Sequence, residues 1–133
     1  MSGPPLEFLR TVPLFADVSD RGLKAIQGTL SHRTYDAGET VVEEGNSGIG
    51  FFLVESGSAR VTKDGGETLA TLGPGSHFGE VALLAGSSRS ATITAESGLS
   101  CWAMAGWTFR PMLKNEPTVT LKLLEGLARQ QAR

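Results

Sequence analysis

One cysteine, Cys101, stands alone in 133 residues, so no internal disulfide can form. That scarcity fits a reducing compartment, and a soluble cytoplasmic protein is the expectation. Histidine is nearly as rare. His32 and His77 lie 45 positions apart (77 − 32), with no His-x-His pair. A three-nitrogen metal site of the cupin kind cannot be built from one such chain, and no metal residue is assigned. Basic excess is also missing. Lys and Arg total 12 against 14 Asp and Glu, a net charge of −2. The electrostatic footprint of a nucleic-acid or anionic-membrane surface is therefore absent. No apolar run approaches the roughly 18 residues of a membrane span. Met1 to Arg10 carries proline and glutamate but no basic segment followed by an apolar block, so it does not read as a secretory signal.

Glycine, by contrast, is abundant, with 17 residues concentrated mid-chain. Between the glycines lie short apolar or alternating segments: Thr40–Glu44, Phe51–Val54, Ala59–Lys63, Thr68–Leu72, Ala91–Ala95 and Leu99–Ala103. Short strands at regular turn spacing predict a β-sandwich or barrel. Asp64-Gly65-Gly66 reads as a tight hairpin, and Glu55-Ser56-Gly57-Ser58 as a second one. Ser19 can cap a helix whose apolar positions are Leu23, Ile26 and Leu30, although Gly22 and Gly28 weaken it. Trp107, Met112 and Leu113 predict a short helix. Pro117 suits the first turn of another, running to about 131 and carrying Val119, Leu121, Leu123, Leu124 and Leu127. The layout is helix, about eight strands, then two helices, in one domain over 1–133.

The segment Gly73 to Thr92 interrupts the strand pattern. Gly79 to Leu84 reads as one or two helical turns, opened by Gly79 and closed by Gly86. A first helical turn has unpaired N–H groups and attracts anions, phosphate above all. Arg89 follows, and a guanidinium can grip two phosphate oxygens. Glu80 is out of place for phosphate alone but suits a ligand that also presents a hydroxyl, such as a ribose 2′-OH.

From Phe78 to Thr92 this segment resembles the phosphate-binding cassette of cyclic nucleotide-binding domains, the family seen in catabolite activator proteins and kinase regulatory subunits. The shared pattern is Phe-Gly-Glu, a Leu/Ala run, a variable stretch, then Arg-x-Ala-Thr. Val12-Pro13-Leu14-Phe15, Ala37-Gly38-Glu39, Glu44-Gly45, Gly50–Val54 and Gly73–Ser76 extend the resemblance over nearly the whole chain. It implies a mainly β fold: an eight-stranded, jelly-roll-like β-roll with N-terminal helices, a short cassette helix and C-terminal helices. It implies that Glu80 bonds the ribose 2′-OH beside Gly79 and that Arg89 pairs with the cyclic phosphate. Backbone groups around Ala82 and Leu83 meet the phosphate, and Ser90 donates to phosphate or base. The candidate ligand-binding set is Phe78, Gly79, Glu80, Val81, Ala82, Leu83, Arg89, Ser90 and Ala91, with no catalytic residue and no cofactor. The family often has proline before the arginine, where this chain has Ser88. A residue of the last helix, or of a partner, usually covers the base, and Leu123, Leu124 and Leu127 are the candidates here.

The resemblance implies a sensor of cAMP, with cGMP as the alternative ligand, that signals through its C-terminal helix to an effector protein or by self-association. Other readings stay open at this point. Arg89 suits an ordinary surface arginine, Glu80 a helix-start carboxylate, and the leucines of the last helix a core seam or a dimer seam. Cys101 reads as packing, and both histidines as structural or surface residues. A nucleotide-free interaction module would have lost Glu80 or Arg89, and both are present. A small cupin-like metal enzyme lacks its histidines. Direct DNA binding is not expected, because only 16 residues (133 − 117) follow Pro117 and a helix-turn-helix needs two further helices.

Overall fold

The computed structural model describes residues 3–42, 45, 50–63, 66–86 and 91–131. Helix α1 (Leu6–Thr11) and a 3-10 turn (Pro13–Phe15) precede α2 (Asp20–Gln27). Eight strands follow: β1 (Leu30–Tyr35), β2 (Thr40–Val42), β3 (Gly50–Ser56), β4 (Ala59–Lys63), β5 (Glu67–Leu72), β6 (His77–Phe78), β7 (Thr92–Ala95) and β8 (Leu99–Ala105). Helix α3 (Glu80–Ala85) sits between β6 and β7, and α4 (Gly106–Asn115) and α5 (Pro117–Gln131) close the order. The predicted roll with flanking helices is the fold observed.

Two four-stranded antiparallel sheets face each other, in orders β1-β8-β3-β6 and β2-β7-β4-β5. The central strands of the first sheet, β3 and β8, are buried on both sides, and strand alternation sorts their residues into two cores. Phe51, Leu53, Trp102 and Met104 point to the helices, where they join Leu9, Val12, Phe15, Leu23, Ile26, Phe109, Val119 and Leu123. Phe52, Val54, Phe78, Leu99, Cys101 and Ala103 point into the roll against Ala59, Ile93 and Ala95. Four consecutive buried residues, Phe51 to Val54, are the sequence mark of this double burial. The second sheet has a wet outer face, and β5 is exposed over five of its six residues. Cys101 packs inside the roll, and burial pushes its thiol up to about 12. At neutral pH it is a small apolar group, as the sequence suggested.

Ser19 caps α2, accepting from Gly22 N–H at 3.1 Å. Leu30, expected on that helix, instead opens β1. Gly22 lies at a close helix contact. A Cβ there would lie 2.6 Å from Glu116 Oε2 and 2.7 Å from Val18 Cγ1, so the glycine permits close helix packing. Helix α1, β1 and β6 carry too little apolar periodicity to be read from sequence: β1 is Leu-Ser-His-Arg-Thr-Tyr, exposed at four central positions. Trp107 lies on α4, as expected, but is 84% exposed and contributes nothing to the core.

Of the two predicted hairpins, β4–β5 is one, with Lys63 opposite Glu67; Asp64 and Gly65 of its turn lie outside the described residues. Glu55–Ser58 is not a hairpin. β3 and β4 belong to different sheets, so this segment is a corner that carries the chain from one sheet to the other. Gly57 makes the corner at φ +84°, and a Cβ there would collide with the Gly98 carbonyl oxygen. Neither the dihedral nor the contact admits a side chain. We expect Gly57→Ala to destabilise the fold by about 3 kcal/mol or more and to lower Tm by about 10 °C in thermal unfolding. Gly73→Ala, with open space around the new methyl, should leave Tm within a few degrees.

Candidate functional site

Strand β6 is the hinge of the site. Its two residues pair with β3, His77 opposite Leu53 and Phe78 opposite Phe52. Just before it, Gly75 N–H donates to the Val54 carbonyl and Val54 N–H to the Ser76 carbonyl, both at 2.9 Å. Alternation turns Phe78 into the roll, where its ring stacks on Phe52 at 4.9 Å. His77 turns the other way, to the helix side, 5.7 Å from the Phe51 ring.

Gly79 then reverses the chain at φ +102° and ψ −15°, in the left-handed region, and α3 begins at Glu80. Gly86 ends the helix at φ +65°. This is the short turn bounded by two glycines that the sequence predicted. Its N-cap residue, Gly79, has no side chain to cap the first turn, and the N–H groups of a first helical turn favour an anion. Ala82 is buried, and Leu83 and Leu84 pack against the helix-side core. At the other end, Arg110 of α4 donates to the Leu84 carbonyl at 3.0 Å, a cation at a helix C-terminus.

The cassette walls a cleft of about 440 Å³ against the wet-faced sheet. Phe78, Gly79, Glu80, Val81, Ala82 and Ala91 of the candidate set all line it, with Val42, Val61, Lys63, Leu69, Leu72 and Ile93 across from them. The volume suits a small-molecule ligand. Leu83 is turned toward the helices instead. Arg89 and Ser90 lie outside the described residues, as does Ser88.

Two lining residues escaped the sequence reading. His77 Nδ1 lies 2.7 Å from Glu80 Oε1, and both side chains are largely sheltered, with 32% and 13% of their surface exposed. The signal was available in principle, since His77 and Glu80 are three positions apart across a glycine turn. The second is Gln130. Helix α5 buries Val119 and Leu123, leaves Leu121 and Leu124 exposed, and brings Gln130 to the cleft. Gln130 follows Leu123 by seven positions, two helical turns along the same face. Of the proposed base covers, Leu123 is a core residue, Leu124 faces solvent, and Leu127 lines a neighbouring cavity of about 470 Å³ between α5 and the 3-10 turn.

The family model for the cyclic nucleotide-binding domain matches residues 32–116. The chain belongs to this family. The domain is 37% identical over 120 residues to a cAMP-dependent protein kinase regulatory subunit of Yarrowia lipolytica, covering 84% of this chain and 32% of that protein. It is 34% identical over 116 residues to a cGMP-dependent protein kinase of Drosophila melanogaster, covering 82% of this chain and 12% of that protein. Among solved structures, the catabolite activator protein of Thermus thermophilus superposes with a TM-score of 0.81 at 31% identity, over 90% of this chain and 58% of that one. The domain thus spans about a third or less of these curated relatives. Among the described residues no helix is long and apolar enough to cross a membrane, and no group of His, Cys, Asp and Glu is placed to hold a metal.

The two glycines that bound α3 differ in what they tolerate. Asn adopts the Gly86 dihedrals readily, whereas φ +102° at Gly79 strains any side chain. Gly79→Ala should therefore cost about 1–2 kcal/mol in urea denaturation, and Gly86→Asn less than half of that.

Proposed function

We propose that the domain is a cyclic nucleotide sensor, with cAMP as its favoured ligand and cGMP as the alternative. It binds its ligand and does not turn it over. The observation that carries the reading is the meeting of the Glu80 carboxylate and the first turn of α3 at one end of a cleft sized for a small molecule. A hydroxyl acceptor beside a set of phosphate donors matches a ribose joined to a cyclic phosphate. Arg89 is assigned to the phosphate from its place in the sequence pattern, with Ser90 beside it. Phe78, Val81, Ala82 and Ala91 shape the apolar wall, and backbone groups near Leu83 complete the phosphate contact. The lean to cAMP rests on the naming of the regulatory-subunit relatives.

Signalling would run through α5. Its support is the position of Gln130, which brings the helix to the ligand cleft, and the cavity between α5 and the 3-10 turn, which leaves the helix room to repack. A ligand that binds one helix position more tightly shifts the population toward it. The receiver is an effector protein, a kinase by analogy with the relatives, or a second copy engaged through α5.

Isothermal titration with cAMP and then cGMP tests the site. The parent should bind saturably. Arg89→Ala should lose roughly 2–5 kcal/mol, at least tens-fold in affinity, since a desolvated phosphate loses its charge-assisted partner. Equal binding by parent and variant would remove Arg89 from the site. Hydrogen exchange tests the output: protection over residues 117–131 should rise or fall with ligand, and identical exchange in both states would rule out transmission by α5.

A further inference from the structure

We infer that His77 is the positioning residue for Glu80 and thereby sets the preference of the cleft for ribose over deoxyribose; this rests on the proposed reading of the cleft as a cyclic nucleotide site. A glutamate has three rotatable bonds, and an untethered one spreads its carboxylate over several rotamers. Glu80 is held instead. Its Oε1 lies 2.7 Å from His77 Nδ1, a distance that belongs to a charge-assisted hydrogen bond. An ionised carboxylate can only accept, so the pair is satisfied with the proton on Nδ1. One oxygen of Glu80 is fixed in this way, and with it the plane and direction of the carboxylate.

The histidine is itself fixed. Its backbone sits in the β3–β6 ladder opposite Leu53, and its ring lies 5.7 Å from that of Phe51, which stacks on Phe109 at 4.9 Å. The tether therefore runs from the ligand cleft through His77 to the aromatic core beneath α4. Both His77 and Glu80 border the cleft and also the cavity under α5, so the pair forms part of the wall between the two. The charged residues of α5 that face His77 across that cavity are Lys122, Glu125 and Arg129. None of them shares the 2.7 Å bond.

A hydrogen bond from a hydroxyl to a charged group is worth more than tenfold in affinity when it is well aimed. Losing the aim while keeping the carboxylate should erase that advantage and leave the phosphate contacts intact. The experiment is titration of the parent, His77→Phe, His77→Asn and Glu80→Ala with cAMP and with 2′-deoxy-cAMP. The read quantity is the ratio of the two dissociation constants within each protein, so a general loss of folding or affinity cancels. We expect a ratio of about tenfold or more for the parent and below about threefold for Glu80→Ala. His77→Phe keeps a ring beside Phe51 but has no donor, and its ratio should fall to that of Glu80→Ala. His77→Asn places an amide N–H near the former Nδ1 and should restore most of the preference. A His77→Phe ratio equal to that of the parent would overturn the inference and leave the proposed function standing. A parent ratio that survives in Glu80→Ala would overturn the inference and also remove Glu80 from the ribose in the proposed site, while nucleotide binding itself would stand. A parent that binds neither nucleotide would overturn the proposed function and the inference together.

Discussion

The two central strands of the sheet β1-β8-β3-β6, β8 and β3, have to bury both of their faces, and the rest of the molecule is arranged around that requirement. One face is covered by the second sheet and the other by the helices, so the domain has two apolar cores that share one layer of backbone. Each strand of the shared layer serves both cores through the two-residue alternation of its side chains. Phe51 and Phe52 are adjacent in sequence and belong to different cores. A layer of this kind gains apolar burial on both sides.

The cassette exploits that layer at its edge. β6 is only two residues long, yet it hands one side chain to each core: Phe78 to the roll and His77 to the helix side. Helix α3 then leaves the sheet with its first turn toward the cleft. Its two ends are tied to the helix side, at Glu80 through His77 and at Leu84 through Arg110. The short helix is thus attached at both ends to the helix side of the sheet. The sheltered position of Glu80 fits this arrangement. A carboxylate that is only 13% exposed needs a hydrogen-bonding partner, and the strand supplies one from three residues upstream.

Much of the site was legible in the residues. The two glycines around Glu80–Ala85, the helix start at Ser19 and the helix start at Pro117 are local features, and local sterics decide them. The strands with alternating or continuous apolar patterns were legible for the same reason. β1 was not, because its central residues face solvent and its place is set by pairing with β8. The reading of Glu55–Ser58 as a hairpin failed because a turn signal says that the chain reverses or bends but not which sheet receives the next strand. That choice depends on where β4 finds its partners, β5 and β7.

By itself, the sequence determined the cassette's local shape, the amphipathic strands, the absence of a disulfide framework and the family pattern from Phe78 to Thr92. These follow from backbone sterics, side-chain period and covalent chemistry, which act over a few residues. The tertiary structure alone decided that Gln130 of α5 reaches the cleft, and that Leu123 is core while Leu124 faces solvent. Each of these depends on the angle at which one element crosses another. That angle is set by the packing of two cores against a shared sheet, which no short window of residues records.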